Sequence, residues 1–394
     1  MANTSPSVRA LLVAEGSGGH LIPALEVAGA LAEAGARVQV WYAHRPHLAR
    51  LAEELTRARA GGSVEIRPMP LQASAGPLAR LWRCGALWLS AHRGFDSFAP
   101  AVVVGFGGWV SVPVILAARQ RGIACMLHEQ NAVLGGANRW LARRVDGVAL
   151  SFPETQGLVA GVRSVVTGMP VRRRIGAPSR AQSARSFGLA PERPTLLILG
   201  GSQGSHAVNR LVVDALEGCT ATERSAWQLL HVSGPADERM VRDAYVRLGA
   251  ASWVAPFLVD MEAAYAQADL VVARAGASTI AELARCGLPA ILIPYPYAGG
   301  HQRVNAEAVE ASGGGLMIEE SEATPARLLA MIRRILLDRR LRAMMGEQAR
   351  SLSGRDAAGR LAREILALAR RGTRFQRTAP APSSERVPEM AGVA

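Results

Sequence analysis

Two glycine-rich loops, one near the start of the chain and one near its middle, each separate an apolar run from a helical pattern. Residues 14–20 read Ala-Glu-Gly-Ser-Gly-Gly-His, and residues 199–206 read Leu-Gly-Gly-Ser-Gln-Gly-Ser-His. In a strand, loop and helix of this kind, the free backbone N–H groups of the loop and the positive end of the helix point toward one place, which suits a phosphate group. Two such units predict two lobes that face each other.

Short apolar runs alternate with helical patterns along both halves of the chain, as a parallel sheet covered on both faces requires. The basic, helix-breaking segment 168–180 lies between the halves and predicts a hinge. The fold class expected is therefore α/β, with two parallel-sheet lobes and a cleft between them. The predicted strands are residues 10–14, 38–42, 101–105, 124–127, 147–150, 195–199, 228–232, 270–273, 290–294 and 315–318.

The charge and aromatic content of the chain limit the kinds of partner that it can bind. The net charge of +13 predicts an anionic partner such as nucleic acid, acidic lipid or a phosphorylated substrate. The aromatic content is only 5% and no nucleic-acid-binding motif is recognisable, so we expect no nucleic acid among the partners. The four cysteines form no Cys-x-x-Cys pair, which is typical of reduced thiols in a cytoplasmic protein.

One uncharged segment, residues 97–118, is long enough to suggest a membrane span. The prolines and glycines within it instead predict a strand, a glycine turn and a helix from about Ser111. We therefore expect no transmembrane segment there.

A dinucleotide-binding fold is the first alternative for the two loops. Such a site also needs an acidic residue at the end of the second strand to hold a ribose. Residues 38–44 and 228–234, which include the corresponding strand ends, contain no Asp or Glu. The pattern therefore disfavours hydride transfer with a nicotinamide cofactor.

Residues 268–294 predict a strand, a turn of small residues, a helix and another strand. Thr279 and Glu282 fit a capping box, in which both side chains satisfy free N–H groups at the helix start. The alternative is that the small residues admit a diphosphate at this helix N-terminus while Glu282 accepts hydrogen bonds from a ribose diol. The local pattern leaves both interpretations open.

Several motifs, in their order and spacing, make the chain from about residue 9 to 370 similar to the MurG-type glycosyltransferases. This family moves GlcNAc from UDP-GlcNAc to lipid I, the undecaprenyl-pyrophosphate-linked MurNAc-pentapeptide. The motifs are Gly16-Ser-Gly-Gly-His20, Gly105-Phe-Gly-Gly-Trp-Val-Ser111, His128-Glu-Gln-Asn131, Gly168-Met-Pro-Val-Arg172, Gly200-Gly-Ser-Gln-Gly204, Ala277-Ser-Thr-Ile-Ala-Glu282, His301-Gln302 and Asn305-Ala306.

The resemblance implies a GT-B fold, two Rossmann-like lobes facing across a cleft, and inverting transfer of GlcNAc to the 4-hydroxyl of MurNAc. The product is lipid II, for peptidoglycan synthesis. The implied divisions are an acceptor and membrane lobe at 8–170 and a UDP-GlcNAc lobe at 171–345. Helices at 346–371 are expected to return to the first lobe, and 372–394 to form a disordered tail.

The same resemblance assigns the donor site mainly to the second lobe. It implies Ser202 at the diphosphate, the backbone of Leu258 at uracil, Glu282 at the ribose and Gln302 at the sugar. The full set of expected substrate-binding residues is Ser17, Gly18, Gly19, Asn131, Arg172, Ser202, Leu258, Ala277, Ser278, Thr279, Ile280, Ala281, Glu282 and Gln302.

Inverting transfer needs a base for the acceptor hydroxyl and a positive environment for the departing UDP. His20 stands at the start of the first helix, where the helix dipole disfavours a second proton, and the resemblance implies that it is the base. Glu129 is the alternative catalytic residue. Because no Asp-x-Asp occurs in the sequence, we expect no metal and no cofactor, with helix N-termini and Arg172 stabilising the diphosphate.

Three positions depart from the family pattern. Glu15 stands where glycine is usual, Met169 where asparagine is usual, and His301 where a glutamine often precedes Gln302. Glu15 matters most, because a carboxylate beside a phosphate site repels the phosphate unless it points away or is paired. We expect these changes to alter affinity and not the class of reaction.

A lipid acceptor also implies contact with a membrane. One helical stripe carries apolar residues with arginines beside it, which resembles an interfacial anchor, although packing on the protein's own sheet gives the same pattern. We expect a peripheral protein on the cytoplasmic face of the bacterial inner membrane, with an anionic phospholipid surface and other cell-wall synthesis or division proteins as partners. The anchor residues expected are Leu78, Leu81, Trp82, Trp88, Arg80 and Arg83.

Two other functions remain open on the sequence. A UDP-GlcNAc 2-epimerase or another GT-B enzyme shares the donor motifs but does not need the acceptor motif 128–131 or an anchor. A nonenzymatic protein that binds nucleotide sugars or nucleic acid is compatible with the positive charge.

Overall fold

The computed structural model describes residues 7–16, 18–43, 63–69, 77–201, 204–297, 299–354 and 356–378. Its first lobe contains a parallel seven-stranded sheet with spatial order β3-β2-β1-β4-β5-β6-β7. The strands are β1 (Arg9–Ala14), β2 (Arg37–Ala43), β3 (Val64–Met69), β4 (Val102–Gly105), β5 (Ala124–Glu129), β6 (Gly147–Leu150) and β7 (Ser164–Val166).

Helices cover both faces of this sheet because alternate residues of its buried strands point to opposite sides. Leu12 of β1 belongs to one core cluster, whereas Leu11 and Val13 belong to another on the opposite face. The helices of this part are α1 (Gly18–Glu33), α2 (Pro77–Phe98), α3 (Ser111–Gln120) and α4 (Gly136–Leu141).

The second lobe repeats the architecture with a parallel six-stranded sheet in the order β10-β9-β8-β11-β12-β13. Its strands are β8 (Thr195–Leu199), β9 (Gln228–Val232), β10 (Ser252–Ala255), β11 (Leu270–Ala273), β12 (Ala290–Leu292) and β13 (Gly315–Met317). Its helices are α5 (Arg180–Phe187), α6 (His206–Glu217), α7 (Ala221–Ala226), α8 (Glu238–Arg247), α9 (Met261–Gln267), α10 (Ala277–Cys286), α11 (His301–Ala311), α12 (Pro325–Leu336) and α13 (Arg339–Ser351).

The strand order reverses between β1 and β4 in one lobe and between β8 and β11 in the other. In open parallel sheets, ligands bind beyond the carboxyl ends of the strands at such a reversal. The glycine loops at 14–20 and 199–206 follow β1 and β8. The two-lobed α/β fold expected from the sequence is therefore confirmed, with both loops at the reversals.

The chain returns to the first lobe later than expected. Residue 346, the expected start of the returning helices, lies within α13, and the neighbouring Met345 packs in the second-lobe core. Helix α14 (Ala357–Thr378) makes the return, and its Leu361 and Ile365 join the core around β1. The helix also continues past Arg371, so the expected start of the tail at 372 is wrong; residues 379–394 lie outside the described part of the chain.

The two segments in which the chain passes from one lobe to the other contact each other. Gly168, with φ of 83°, lies in the first crossing, and a β-carbon there would approach the Cα of Gly354 in the second crossing to 3.1 Å. Glycine therefore allows the two segments to lie side by side. The hinge expected at 168–180 coincides with this contact, and α5 begins at its end.

We expect the protein to lose stability as the pH falls below 6.5. In the described part of each lobe one histidine is completely buried, and burial lowers the pKa of His128 to about 4 and that of His231 to about 3. Below pH 6.5 the unfolded chain binds protons that the native state does not, so stability is full above this pH and declines toward pH 4, by as much as about 3 kcal/mol per histidine. Urea unfolding at pH 7 and pH 5 measures the loss, and His128→Gln should flatten the dependence. An unchanged free energy of unfolding at pH 5 contradicts the prediction.

Candidate active site in the cleft

Two helix N-termini, one from each lobe, meet across the cleft. Helix α1 begins at Gly18 and α10 at Ala277, and a β-carbon added to Gly19 would lie 3.9 Å from Oγ of Ser278. Gly276 precedes α10, and no side chain caps its first turn. The free N–H groups at such helix starts form a positive environment that suits an anionic ligand.

The loop after β4 borders this place in the first lobe. Gly107 and Gly108 both have positive φ, and the Nε2 group of Gln130 donates a 2.7 Å hydrogen bond to the carbonyl of Phe106. A β-carbon on Gly107 would lie 3.1 Å from Nε2 of His20, so glycine leaves room for the imidazole. Glu15 lies similarly close to Gly108, so its carboxylate stands beside the loop after β4. Ser17 lies outside the described residues.

Glu129 holds the loop that follows β5. Its buried carboxylate accepts hydrogen bonds from the backbone N–H groups of Asn131 (3.0 Å) and Gly135 (2.9 Å) and from the side-chain amides of Asn138 (2.8 Å) and Asn131 (3.2 Å). These four hydrogen bonds, two to each oxygen, occupy the acceptor sites of the carboxylate and leave none open to a substrate hydroxyl. The geometry therefore favours a structural function for Glu129 and leaves His20 as the better candidate for the base.

Asn305 of α11 connects the lobes directly. Its Oδ1 accepts a 2.8 Å hydrogen bond from the backbone N–H of Ala132, and its Nδ2 donates to Oδ1 of Asn131 at 3.1 Å. The same amide donates to the carbonyl of Ala275, in the turn between β11 and α10. Asn131 thus contacts the second lobe through its hydrogen bond with Asn305. The motif Asn305-Ala306 was noted in the sequence, but no function was assigned to Asn305.

A buried cluster of charged residues lies behind the start of α10. Nη1 of Arg172 is 3.5 Å from a carboxylate oxygen of Glu262, and Nη2 is 3.7 Å from Oε1 of Glu282. The hydroxyl of Tyr265 donates a 2.7 Å hydrogen bond to Oε2 of Glu282. Burial raises the pKa of Glu282, although Arg172 and the hydrogen bond from Tyr265 act in the opposite direction.

The capping-box interpretation of this segment is wrong. Helix α10 begins at Ala277, so Thr279 lies inside the first turn, and neither it nor Glu282 bonds to the helix start. Glu282 is 8% exposed and points to α9, which supplies Glu262 and Tyr265. Ala277, Ser278, Thr279, Ile280 and Ala281 form the first turns of the helix, as a ligand at its N-terminus requires.

Arg172 occupies a different environment from the one expected beside the diphosphate. Two carboxylates flank its guanidinium, which also donates to the carbonyl of Val259 at 3.3 Å. Leu258 precedes that residue in the loop after β10 and is partly buried. Arg172, Leu258 and Glu282 are thus brought together, but the arginine charge is balanced locally, so the helix N-termini remain the main positive groups near a diphosphate.

Gln302 is held in one orientation. Its Oε1 accepts hydrogen bonds from the backbone N–H groups of Ala275 (3.1 Å) and Tyr295 (3.0 Å), which leaves the amide NH₂ as a donor for a ligand. Ser202 lies outside the described residues. Gly204, at the end of its loop, has φ of 78°, and a β-carbon there would collide with the carbonyl of Ser233.

The expected anchor stripe on α2 divides into an outward and an inward face. Trp82 is 81% exposed and Leu89 is 47% exposed, and Arg83 is partly buried. Trp88, in contrast, donates a 3.0 Å hydrogen bond to Gln120 and packs beside His92, so its assignment to the outward stripe is wrong. Leu87 and Ala91 pack in the core on the same side of the helix, which explains why Trp88 turns inward. The side chains of Leu78, Arg80 and Leu81 lie outside the described part.

Comparison with known proteins identifies the family. The N-terminal domain of glycosyltransferase family 28 matches residues 10–150, and the C-terminal domain of that family matches residues 195–361. A protein from Nocardioides sp. named UDP-N-acetylglucosamine–N-acetylmuramyl-(pentapeptide) pyrophosphoryl-undecaprenol N-acetylglucosamine transferase is 37% identical over 369 residues, or 92% of this chain and 98% of its own length.

Two further matches agree. A protein of the same name from Halorhodospira halophila is 40% identical over 361 residues, covering 90% of this chain and 97% of its own. The crystal structure of MurG from Acinetobacter baumannii superposes with a TM-score of 0.71 at 28% identity, covering 91% of this chain and 99% of that one. The chain therefore belongs to glycosyltransferase family 28 and, within it, to the MurG-type UDP-GlcNAc-dependent N-acetylglucosaminyltransferases of the GT-B fold.

Proposed function

We propose that this chain transfers GlcNAc from UDP-GlcNAc, with inversion, to the 4-hydroxyl of MurNAc in undecaprenyl-pyrophosphate-linked MurNAc-pentapeptide. The names of its relatives support both substrates. The supporting observation in the structure is the meeting of two helix starts in the cleft, with His20 on one side and the Arg172, Glu282 and Gln302 groups on the other.

In this proposal the second lobe holds the donor. Uracil contacts the backbone at Leu258, the ribose diol donates to Glu282, and the NH₂ group of Gln302 donates to a sugar hydroxyl. The diphosphate lies at the N-terminus of α10 and the loop containing Ser202. The first lobe supplies the acceptor site and the base.

The proposed chemistry is a single displacement. His20 removes the proton of the acceptor 4-hydroxyl, whose oxygen forms a bond to the anomeric carbon of GlcNAc while the bond from that carbon to the UDP oxygen breaks. The UDP leaves with its negative charge facing the free N–H groups of α10, which stabilise it without a structural change at the moment of reaction. No metal or other cofactor enters this scheme.

The decisive experiment incubates the protein with labelled UDP-GlcNAc and a short-chain lipid I analogue. We expect a labelled disaccharide product and equal amounts of UDP, with the same rate in EDTA. Loss of activity in EDTA that Mg²⁺ restores contradicts the metal-independent scheme. Conversion of UDP-GlcNAc without acceptor identifies an epimerase instead, and binding without any product identifies a nonenzymatic protein.

We also propose that the first lobe binds the cytoplasmic face of the inner membrane peripherally, with anionic phospholipid as its surface partner. Trp82 and Leu89 on α2 and Trp109, which is 66% exposed just before α3, offer apolar area for the interface. The net charge of +13 attracts anionic lipid. In the part of the chain that the structure describes, no helix has the length and apolar character needed to cross a bilayer.

Replacing Trp82 and Leu89 together by serine should reduce binding to phosphatidylglycerol-containing vesicles by at least about 10-fold, because apolar area no longer enters the interface. Transfer to a water-soluble acceptor should continue. Val246→Ser is the matched control, since Val246 is 77% exposed on the second lobe. Vesicle flotation measures the binding of both variants. Equal binding by the double variant and the wild type contradicts the proposed anchor. Trp88 is unsuitable for this test, because its substitution also disturbs packing.

A further inference from the structure

A tyrosine buried in the second lobe donates a hydrogen bond to the carboxylate of Glu282. Tyr265 lies on α9, is 3% exposed, and packs in the core cluster that also contains Ile280 and Leu283 of α10. Its hydroxyl donates to Oε2 of Glu282 at 2.7 Å. Since the ring is fixed by packing on all sides, the hydroxyl has a fixed position as well.

The second oxygen of the same carboxylate is in a different situation. Oε1 of Glu282 is 3.7 Å from Nη2 of Arg172, which is beyond the length of a good hydrogen bond. Among the described residues, no other group donates to this oxygen. Arg172 is itself drawn to Glu262 and to the carbonyl of Val259. Oε1 is therefore available to a ligand, provided that the carboxylate does not turn to form a close pair with Arg172.

We infer that Tyr265 is a positioning residue that gives the donor site its preference for a ribonucleotide over a 2′-deoxyribonucleotide. By holding Oε2, it keeps Oε1 directed to the ribose hydroxyls and prevents the carboxylate from rotating onto Arg172. The inference rests on the proposed function, which places the ribose diol at Glu282. Tyr265 itself contacts no substrate in this arrangement.

The charged groups around Glu282 provide a second test of the inference, the pH dependence of UDP binding. Arg172 comes from the crossing between the lobes, Glu262 and Tyr265 from α9, and Cys286 from α10. Burial, the largest influence, raises the pKa of Glu282, as Glu262 also does, whereas Arg172 and the hydrogen bond from Tyr265 lower it. Without the tyrosine hydroxyl the carboxylate takes up a proton at a higher pH, and the ribose hydroxyls then lose their anionic acceptor.

The test compares the binding of UDP and of 2′-deoxy-UDP by calorimetry. Tyr265→Phe removes one oxygen atom and keeps the ring, and circular dichroism checks that the variant folds. We expect the preference for UDP to fall by about 10-fold, as for a lost hydrogen bond to a charged group, with a smaller change for 2′-deoxy-UDP. The decline of UDP affinity with falling pH should begin at a higher pH in the variant than in the wild type.

Tyr245→Phe is the matched control. Tyr245 is also completely buried in the second lobe, and its hydroxyl bonds to His231 at 2.7 Å, so the substitution removes an equivalent group away from the cleft. We expect it to leave the preference unchanged. In a Glu282→Gln background, Tyr265→Phe should add little, because the tyrosine acts through the carboxylate.

The outcomes separate the two proposals. If the wild type prefers UDP and Glu282→Gln loses this preference while Tyr265→Phe retains it, the positioning function of Tyr265 is overturned and the ribose site stands. Equal losses in Tyr265→Phe and Tyr245→Phe also overturn it, because they indicate a general effect on stability. If the wild type binds UDP and 2′-deoxy-UDP equally, the placement of the ribose at Glu282 fails, and the inference fails with it.

Discussion

Replacing His20 by alanine is expected to lower turnover by about 10²- to 10⁴-fold and to leave the affinity for UDP-GlcNAc nearly unchanged. The imidazole lies in the first turn of α1 beside Gly107, on the lobe opposite Glu282 and Gln302. A base in this position acts on the acceptor hydroxyl, so its loss affects the chemical step. The donor contacts in the second lobe remain.

Steady-state kinetics with a soluble acceptor and separate titration with UDP distinguish these effects. His92→Ala provides a control, because His92 is a partly buried histidine on α2 of the same lobe, where it packs beside Trp88. A variant that keeps most of its turnover assigns the base to Glu129 or to water. A variant that loses donor affinity makes His20 a phosphate contact instead.

Replacing Glu282 by alanine is expected to weaken the binding of UDP-GlcNAc by about 10²-fold. The reason is the loss of an anionic acceptor for the ribose hydroxyls, since a hydrogen bond to a charged group contributes about 1.5–3 kcal/mol. Glu282 makes no bond to the start of α10, so the helix itself should persist. Titration of UDP and UDP-GlcNAc by calorimetry measures the loss.

Glu262→Ala is the matched control for this substitution. Glu262 is as deeply buried as Glu282 and faces the same guanidinium of Arg172. If Glu282 acts only by balancing the arginine, both variants lose affinity equally. If Glu282→Ala binds UDP normally and loses only thermal stability, its carboxylate has a purely structural function.

The sequence predicted the interior strands well and the edges poorly. Interior strands such as β1 and β8 are almost entirely buried, so each appears as a continuous apolar run. The strands β3, β7 and β10 were missed because they lie at the edges of the two sheets and alternate between exposed and buried residues or are mostly exposed. Short, partly polar strands of this kind cannot be separated from loops by their composition.

Within the candidate site, local patterns identified the loops but not the contacts between distant elements. The spacing of Thr279 and Glu282 fits a capping box, yet the helix begins earlier and the carboxylate turns to α9. The contributions of Tyr265, Glu262 and Asn305 depend on how separate helices pack. A signal for the first two existed in α9, where Glu262 and Tyr265 stand three residues apart and so lie on one side of the helix.

Helix α14 determines the order in which the two lobes can complete their folding during synthesis. It supplies Leu361, Ala362, Ile365, Leu368 and Ala369 to a core whose other buried members all lie before residue 150, whereas the second lobe takes its strands and helices from residues 180–351. During translation, the first half of the chain therefore emerges with one face of its sheet covered by α1 but not by α14, and it stays so until α14 leaves the ribosome. The lobe that is made first is completed last, which reverses the usual sequence of domain-by-domain folding from the N-terminus.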